Sequence, residues 1–208
     1  MAVVAVVGNK GGAGKTTLCI NLAAGLATRA PTVILDADPQ RSSLQWRTLA
    51  DRDDAVAVMD ATDDVAGAVR RTRSQHRYVV VDCPPSVHAE QTAQALQVCD
   101  LALVPVQPSP LDLWATVHIE DRVEAAKQAN PRLRAVLVIN QLEPRTRLSQ
   151  LMRQALAELD LPAARTAIRR RVAYRSSVLE GRTVMDLGSR GAVAANEIRA
   201  LIEEVVRT

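Results

Sequence analysis

The stretch Gly8–Thr17, GNKGGAGKTT, limits what this chain can fold into more than any other part of its sequence. Its first nine residues follow the pattern G-x-x-x-x-G-K-[ST] with one extra residue between the two glycines. They stand between a short apolar run and a segment with leucines at four-residue spacing. In that setting the pattern predicts a strand, a phosphate-binding loop and a helix. A glycine-rich turn with a chance Lys-Thr pair is the alternative, but it would not require the flanking strand and helix.

The residue types of this stretch are suited to binding a nucleoside triphosphate. Glycines let backbone N–H groups converge on phosphate oxygens, and the N-terminus of the following helix adds its positive dipole end. In the pattern, Lys15 reaches the β- and γ-phosphates and the Thr16 hydroxyl binds Mg²⁺. We therefore expect ATP contacts at Gly11, Gly12, Ala13, Gly14, Lys15, Thr16 and Thr17.

Apolar runs and helical patterns alternate along the chain. Six runs are nearly continuous in apolar residues, as in strands buried on both faces: Ala2–Val7, Thr32–Leu35, Ala55–Met59, Tyr78–Val81, Leu101–Val106 and Ala135–Ile139. Helical patterns cover Thr16–Thr28, Asp112–Gln128, Arg147–Leu159 and Ala192–Val206. This order predicts a doubly wound α/β fold, with a mostly parallel sheet covered by helices on both faces, in a single domain over residues 1–208.

Carboxylates stand at the ends of two predicted strands. Asp82 closes the run that starts at Tyr78, which is the form of a Walker B acid that holds Mg²⁺ directly or through water. Asp36 and Asp38 follow the second run in the order Asp-Ala-Asp-Pro. These two residues could belong to a plain turn, or one of them could orient an attacking water.

Charge and cysteine usage narrow the class of protein. Residues 105–208 carry 16 basic and 12 acidic side chains, whereas residues 1–104 carry 10 and 11, so the second half would suit a polyanion partner. Cys19, Cys83 and Cys99 are scattered singly, which fits a reducing cytoplasm better than a disulfide framework or a zinc site. We predict no membrane span and no signal peptide.

Three segments in order, KGGAGKTT, DADPQ and VVVDCPPS, resemble the ParA/MinD group of deviant Walker ATPases. The resemblance covers nearly the whole chain, and the chain is most similar to the small ParA-type partition ATPases. It implies a P-loop NTPase fold with ATP and Mg²⁺ as cofactors. It also implies an ATP-dependent homodimer in which Lys10 reaches the ATP of the opposite subunit. Such a lysine would offset the repulsion between two stacked triphosphates.

The same resemblance implies roles for further residues. Asp38 would position the hydrolytic water and Asp36 would support the magnesium shell. Asn140, which follows the last apolar run, would contact adenine. Pro105, in the segment up to Pro110, would form another wall of the base site. Asn140 could instead be a turn residue, and Asp38 a turn cap.

Partners follow from the resemblance as well. Family members bind double-stranded DNA without sequence preference, respond to a small adaptor protein and position a cargo on the nucleoid within the cytoplasm. Candidate DNA contacts are Arg165, Arg169, Arg170, Arg171, Arg175 and Arg182, unless they are merely solvated. A MinD-like membrane-cycling ATPase would need a basic amphipathic C-terminal tail, whereas NEIRALIEEVVRT carries three glutamates. A metabolic or redox enzyme on the same scaffold is the third alternative.

Overall fold

The structure is a computed structural model that describes residues 2–50, 55–143, 151, 154–156 and 159–206. Six strands are formed: β1 Ala2–Val6, β2 Thr32–Asp36, β3 Ala57–Asp60, β4 Tyr78–Asp82, β5 Leu101–Val106 and β6 Arg134–Ile139. The helices with described bounds are α1 Lys15–Ala27, α2 Ser42–Leu49, α3 Val65–Thr72, α4 Glu90–Val98, α5 Pro110–Ala129, α6 Val172–Leu179 and α7 Ala192–Val205. A 3₁₀ segment, Val184–Arg190, precedes α7.

The strands form one six-stranded sheet in the order β3-β2-β4-β1-β5-β6, and every pairing is parallel. The predicted fold class is therefore confirmed. β1 lies between β4 and β5, so the chain winds outward from β1 in both directions. In open α/β sheets this reversal leaves a crevice outside the carboxyl ends of the strands, where ligands bind.

Two hydrophobic cores cover the two faces of the sheet. Alternate residues of each strand point to opposite faces, so Val4 and Val6 belong to one core and Val3 and Ala5 to the other. The first core packs the sheet against α1 and α7, and the second packs it against α3, α4 and α5. Apart from β3, the strands are buried on both sides, as their continuous apolar sequence predicts.

Helix α1 is buried on nearly every face rather than along the one leucine stripe that its spacing predicts. The helix fits beneath α7 because Gly25 has no side chain. A Cβ at this position would stand 2.6 Å from Ile202 Cδ1 of α7. The helix that follows the phosphate loop is thus fixed between the sheet and the C-terminal helix.

Some predicted elements differ from the structure. β3 is one of the two edge strands and is mostly exposed, not buried on both faces. Four helices of eight or nine residues, α2, α3, α4 and α6, lack a long apolar period and were not predicted as elements. The predicted helix Arg147–Leu159 lies mostly outside the described residues.

The helices in the described ranges were also compared with the length and apolarity that a bilayer requires. None of them is long and apolar enough to cross a membrane.

Candidate functional site

Register brings the phosphate loop, Gly8–Thr16, next to the two strand-end carboxylates. Asp36 of β2 pairs with Asp82 of β4, and Asp82 pairs with Val6 of β1. Because the strands are parallel, these residues share one row at the carboxyl edge of the sheet. The phosphate loop leaves β1 at the same edge.

The backbone of the loop requires glycine at two positions. Gly12 has φ 80° and Gly14 has φ 83°, which lie in the left-handed region where a side chain is strained. Gly14 also lacks room for a side chain, since a Cβ would stand 2.7 Å from Asn140 Nδ2. Helix α1 begins directly after it at Lys15, so the first N–H groups of α1 face the loop.

Lys15 is buried inside the loop, and its Nζ donates to the Lys10 carbonyl oxygen at 3.0 Å. Burial lowers the pKa of the Lys15 ammonium, while the nearby Asp82 and Asp38 carboxylates oppose that shift. The ammonium is therefore placed where it can meet an anion. Lys10 lies on the exposed part of the loop.

Asp82 is fully buried at the end of β4. Three side chains donate to its carboxylate: the Thr16 hydroxyl, Ser43 Oγ at 2.8 Å and the Cys19 thiol at 3.5 Å. Burial nevertheless raises the pKa of Asp82 to about 6, because these hydrogen bonds offset only part of the lost hydration. A cation beside this carboxylate would be stabilised strongly.

The first turn of α2 and the turn before it hold the other carboxylates. Asp36 accepts hydrogen bonds from Leu44 N at 2.9 Å and from Asp38 N at 3.1 Å, and burial raises its pKa. Asp38 is buried, and its Oδ1 accepts from Gln40 N at 2.9 Å. Asp38 therefore does cap a turn, as the alternative from the sequence held.

Ser43 is a site residue that sequence reasoning missed. It is buried on α2, and it links that helix directly to Asp82. The available signal was weak: a serine pair, Ser42 and Ser43, starting a helix shortly after Asp38. Serine suits helix starts everywhere, so its position did not point to the carboxylate.

The donor set fits Mg²⁺. Thr16, Asp36 and Asp82 offer a hydroxyl and two carboxylates, and Thr16 already contacts Asp82. Magnesium prefers oxygen ligands and few protein contacts, with phosphate oxygens and waters completing its shell. Among the residues that the structure describes, no cluster of three or more His, Cys, Asp or Glu forms a separate metal site.

Three side-chain amides hold the phosphate loop from the ends of β5 and β6. Asn140 Nδ2 donates to the Ala13 carbonyl at 2.7 Å, and Asn140 is buried. Gln107 and Gln141 both donate to the Gly12 carbonyl, at 2.7 and 3.1 Å. Asn140 was predicted from the resemblance to contact adenine, and in this structure its amide contacts the loop.

Pro105 lies inside β5 and is buried, as the apolar run Leu101–Val106 predicts. Its contact with the base stays a prediction from the resemblance. The Leu103 carbonyl points toward β1, where it accepts a hydrogen bond from Val7 N. Pro105, two residues later, faces the same side but lies beyond the end of β1, so its missing N–H leaves no acceptor on β1 without a donor. The strand keeps its ladder hydrogen bonds there. Gln107, two residues later, is the residue that reaches the loop.

A cavity of about 110 Å³ lies beside the phosphate loop, and four of the six predicted DNA-binding arginines line it. Its lining includes Gly14, Thr17, Asn140, Gln141, Ile168, Arg169, Arg170, Arg171, Tyr174 and Arg175. The segment after Ile168 reaches this place by extending the sheet edge, because Leu142 N donates to Ile168 O and Arg170 N donates to Leu142 O.

The six arginines differ in their surroundings. Arg171 makes two hydrogen bonds to Glu197, at 2.6 and 3.0 Å, and Tyr174 also donates to that carboxylate. These two hydrogen bonds therefore hold the Arg171 guanidinium within the fold. Arg165 is 93% exposed and lies 3.5 Å from Glu204, an ion pair that water screens. Arg175 and Arg182 are exposed.

Comparison of the chain with known proteins shows the family to which it belongs. The profile of the CobQ/CobB/MinD/ParA nucleotide binding domain matches residues 4–184. The chain is 42% identical to the maintenance of carboxysome distribution protein A of Halothiobacillus neapolitanus, over 97% of this chain and 95% of that protein.

Two solved structures share the fold. One is an ATP complex of McdA from Cyanothece, at TM-score 0.76 and 14% identity over 98% of this chain and 95% of the other. The other is the septum site-determining protein MinD of Pyrococcus horikoshii with Mg-ADP, at TM-score 0.72 and 18% identity over 95% and 94%. The chain therefore belongs to the CobQ/CobB/MinD/ParA nucleotide-binding family, and within it to the ParA-type cargo-positioning ATPases.

Proposed function

We propose that this chain hydrolyses ATP to ADP and phosphate with Mg²⁺, and that hydrolysis times the release of a DNA-bound homodimer. The observation that carries this proposal is the meeting of Lys15 and Thr16 of the phosphate loop with Asp82 at the end of β4, with Asp36 and Asp38 at the neighbouring strand end. That set contains a cation for the phosphates, oxygen ligands for a metal, and a further carboxylate.

Each residue then has a task. The loop N–H groups and Lys15 hold the phosphate oxygens, and Thr16, Asp36 and Asp82 hold Mg²⁺ directly or through water. When bound, Mg²⁺ would supply positive charge that offsets the charge of the phosphate oxygens. Asp38 orients the water that attacks the γ-phosphorus, and its place in the turn fixes the direction of its carboxylate. Positioning and charge stabilisation supply most of the acceleration in this reaction class.

Lys10 converts nucleotide binding into assembly. It lies on the exposed part of the loop, while its own carbonyl is held by Lys15 of the same chain. A second protomer placed over the loop would bring Lys10 to the opposite triphosphate. There a cation reduces the repulsion between two stacked nucleotides. ATP would thus bind the protomers together, and its hydrolysis would separate them.

The dimer would bind nucleoid DNA through exposed arginines and position a cargo in the cytoplasm, with a small adaptor protein stimulating hydrolysis. We assign a carboxysome or a related protein compartment as the cargo. The support is the 42% identity, over nearly the full length, to a carboxysome distribution protein. A MinD-like membrane cycle has less support, since the likeness to MinD rests on the fold at 18% identity.

Retention assays separate these functions. The protein is passed, with and without Mg·ATP, over duplex DNA of random sequence and over anionic liposomes. We expect ATP-dependent retention on DNA for the wild type and none for Lys10→Ala, which should still bind ATP as a monomer. Lys15→Ala should lose ATP binding itself. Retention on liposomes but not on DNA would favour the MinD-like cycle instead.

The role of Asp38 is tested in the same assay. Asp38→Ala should bind ATP and stay on DNA longer than the wild type, because the dimer forms but hydrolysis is slow. Release of phosphate at the wild-type rate would show that Asp38 only holds the turn at Gln40.

A further inference from the structure

Two consecutive carbonyl groups of the phosphate loop are held by side-chain amides from outside the loop. Gln107 and Gln141 donate to the Gly12 oxygen, and Asn140 donates to the Ala13 oxygen. We call these three residues the amide clamp. Gln107 follows β5, and Asn140 and Gln141 follow β6, so two strand ends act on one short piece of backbone.

Peptide geometry gives this arrangement a consequence for phosphate binding. In a trans peptide the C=O and N–H groups point in opposite directions. Fixing the Gly12 oxygen therefore fixes the direction of the Ala13 N–H, and fixing the Ala13 oxygen fixes that of the Gly14 N–H. Both N–H groups belong to the loop that binds phosphate in this motif. The clamp holds the Gly12 and Ala13 carbonyl oxygens toward the strand ends, so the Ala13 and Gly14 N–H groups point in the opposite direction.

The clamp is a built feature of the fold. Asn140 is buried, and its Oδ1 accepts the Gln141 N–H at 3.0 Å, which shapes the turn after β6. Gln141 has φ 57°, a left-handed conformation that is costly for a residue with a side chain. Gly14 leaves the space that the Asn140 amide fills. The contacts of the clamp are thus accompanied by a strained backbone at Gln141 and by the absence of a side chain at Gly14.

We propose that Gln107, Asn140 and Gln141 are positioning residues that preorganise the loop N–H groups for the phosphates of the nucleotide. This inference rests on the proposed ATP binding and goes beyond it. A flexible loop must order its peptides when the ligand binds, and that ordering reduces affinity. The clamp orders them in advance. It acts on the phosphate chain and is indifferent to the base.

Base indifference separates the clamp from adenine recognition. If these amides served the base, removing them would weaken ATP binding and leave binding of a bare phosphate chain unchanged. If they form a clamp, both ligands lose affinity by the same factor. Inorganic tripolyphosphate with Mg²⁺ is the probe, because it carries the phosphate chain without ribose or adenine.

The experiment compares Gln107→Met and the double variant Gln107→Met/Gln141→Met by isothermal titration with Mg·ATP and with Mg·tripolyphosphate. Methionine keeps the length and neutrality of glutamine and removes the donor. Gln91→Met is the matched control, because Gln91 Nε2 donates to the Thr62 carbonyl at 3.0 Å, a bond of the same kind away from the loop. Thermal unfolding without ligand shows what each bond contributes to folding alone.

We expect Gln107→Met to weaken the binding of both ligands roughly 3- to 10-fold, and the double variant to weaken it roughly 10- to 100-fold, with the ratio of the two affinities unchanged. Gln91→Met should lose thermal stability to a similar degree and no affinity. Unchanged tripolyphosphate binding in the double variant, or a loss confined to ATP, would overturn the clamp and leave ATP binding standing. Wild-type protein that binds neither ligand would overturn both proposals together.

Discussion

At the scale of single residues, the buried Asp82 carboxylate destabilises the fold and at the same time offers a place for a cation. Its folded pKa of about 6 exceeds the unfolded value of about 3.9, so the folded protein holds the proton more tightly. Stability is lost as the pH rises between these two values, and the full penalty persists above about pH 6. The carboxylate is kept charged at neutral pH in a place where a cation would relieve it.

Asp82→Asn should therefore stabilise the protein without nucleotide at pH 7.5, by about 1–3 kcal/mol, because the neutral amide escapes the burial penalty. The gain should shrink as the pH falls through about 6 and be nearly gone at about pH 4, where the wild-type carboxyl is protonated. Urea unfolding at several pH values measures this. The stabilisation that Mg·ATP gives the wild type should be lost in the variant.

Asp60→Asn is the control for that experiment. Asp60 also ends a strand, but it is exposed, and hydrogen bonds from Thr62 lower its pKa. Neutralising it should give no gain at any pH. An equal gain in both variants would mean that general charge, and not burial of Asp82, controls the pH dependence.

The residues of the site were predictable where a pattern fixes both spacing and chemistry. Lys15, Thr16 and Asp82 could be found from the sequence because the loop pattern and a strand-end carboxylate define them. Ser43 and Gln107 could not, since their partners are 39 and 95 residues away along the chain. Only the register of the sheet brings such pairs together.

At the scale of elements, α2 connects the carboxylates to the C-terminal part of the chain. Its first turn holds Asp82 through Ser43 and Asp36 through Leu44 N. Further along, Trp46 is buried and its Nε1 donates to the Arg182 carbonyl at 3.2 Å. Gly181 touches the end of the helix, where a Cβ would stand 2.3 Å from Leu49 O. The helix is short and polar, so its stability comes from these contacts and not from its own period.

Trp46→Phe should lower the free energy of unfolding by about 1–2 kcal/mol, because the Arg182 carbonyl loses its donor. Trp46→Ala should cost about 3–5 kcal/mol, because it also leaves a cavity. Trp114 is the matched control: it is 68% exposed on α5, and Trp114→Ala should change stability by less than about 0.5 kcal/mol. Urea unfolding of the three variants measures this, and similar losses at both tryptophans would contradict the described packing.

Elements were predictable in proportion to their length and burial. The six strands were found because each is a continuous apolar run, and α1, α5 and α7 because they are long. The short helices α2, α3, α4 and α6 were missed, although Asp64 caps α3 through Gly67 N at 2.6 Å. A cap is a local signal that many turns share, and eight residues hold too few apolar positions to show a period.

At the scale of the whole molecule, the basic half is divided by its internal partners. Arg171 is held by Glu197 with only 27% of its side chain exposed, so it serves the packing of α6 against α7. Arg165 and Arg182 remain exposed. Charge counting along the sequence treats all of them alike, since it cannot show which arginine side chains are exposed and which are held inside the fold. The basic balance of residues 105–208 suits a polyanion partner, and the structure shows which of these side chains are exposed.

This division makes a prediction for DNA binding by the ATP-bound dimer. Removing one arginine–phosphate interaction from a complex reduces the slope of log affinity against log salt by about 0.9. Arg165→Ala or Arg182→Ala, present in both protomers, should therefore reduce the slope by about 1.8 if both copies touch DNA. Arg171→Ala should leave the slope unchanged and lower the free energy of unfolding, because the Glu197 carboxylate loses two hydrogen bonds. Binding to random-sequence duplex between about 50 and 200 mM salt measures the slopes. A reduced slope in Arg171→Ala alone would mean that the Glu197 pair opens on DNA and that the exposed arginines are bystanders.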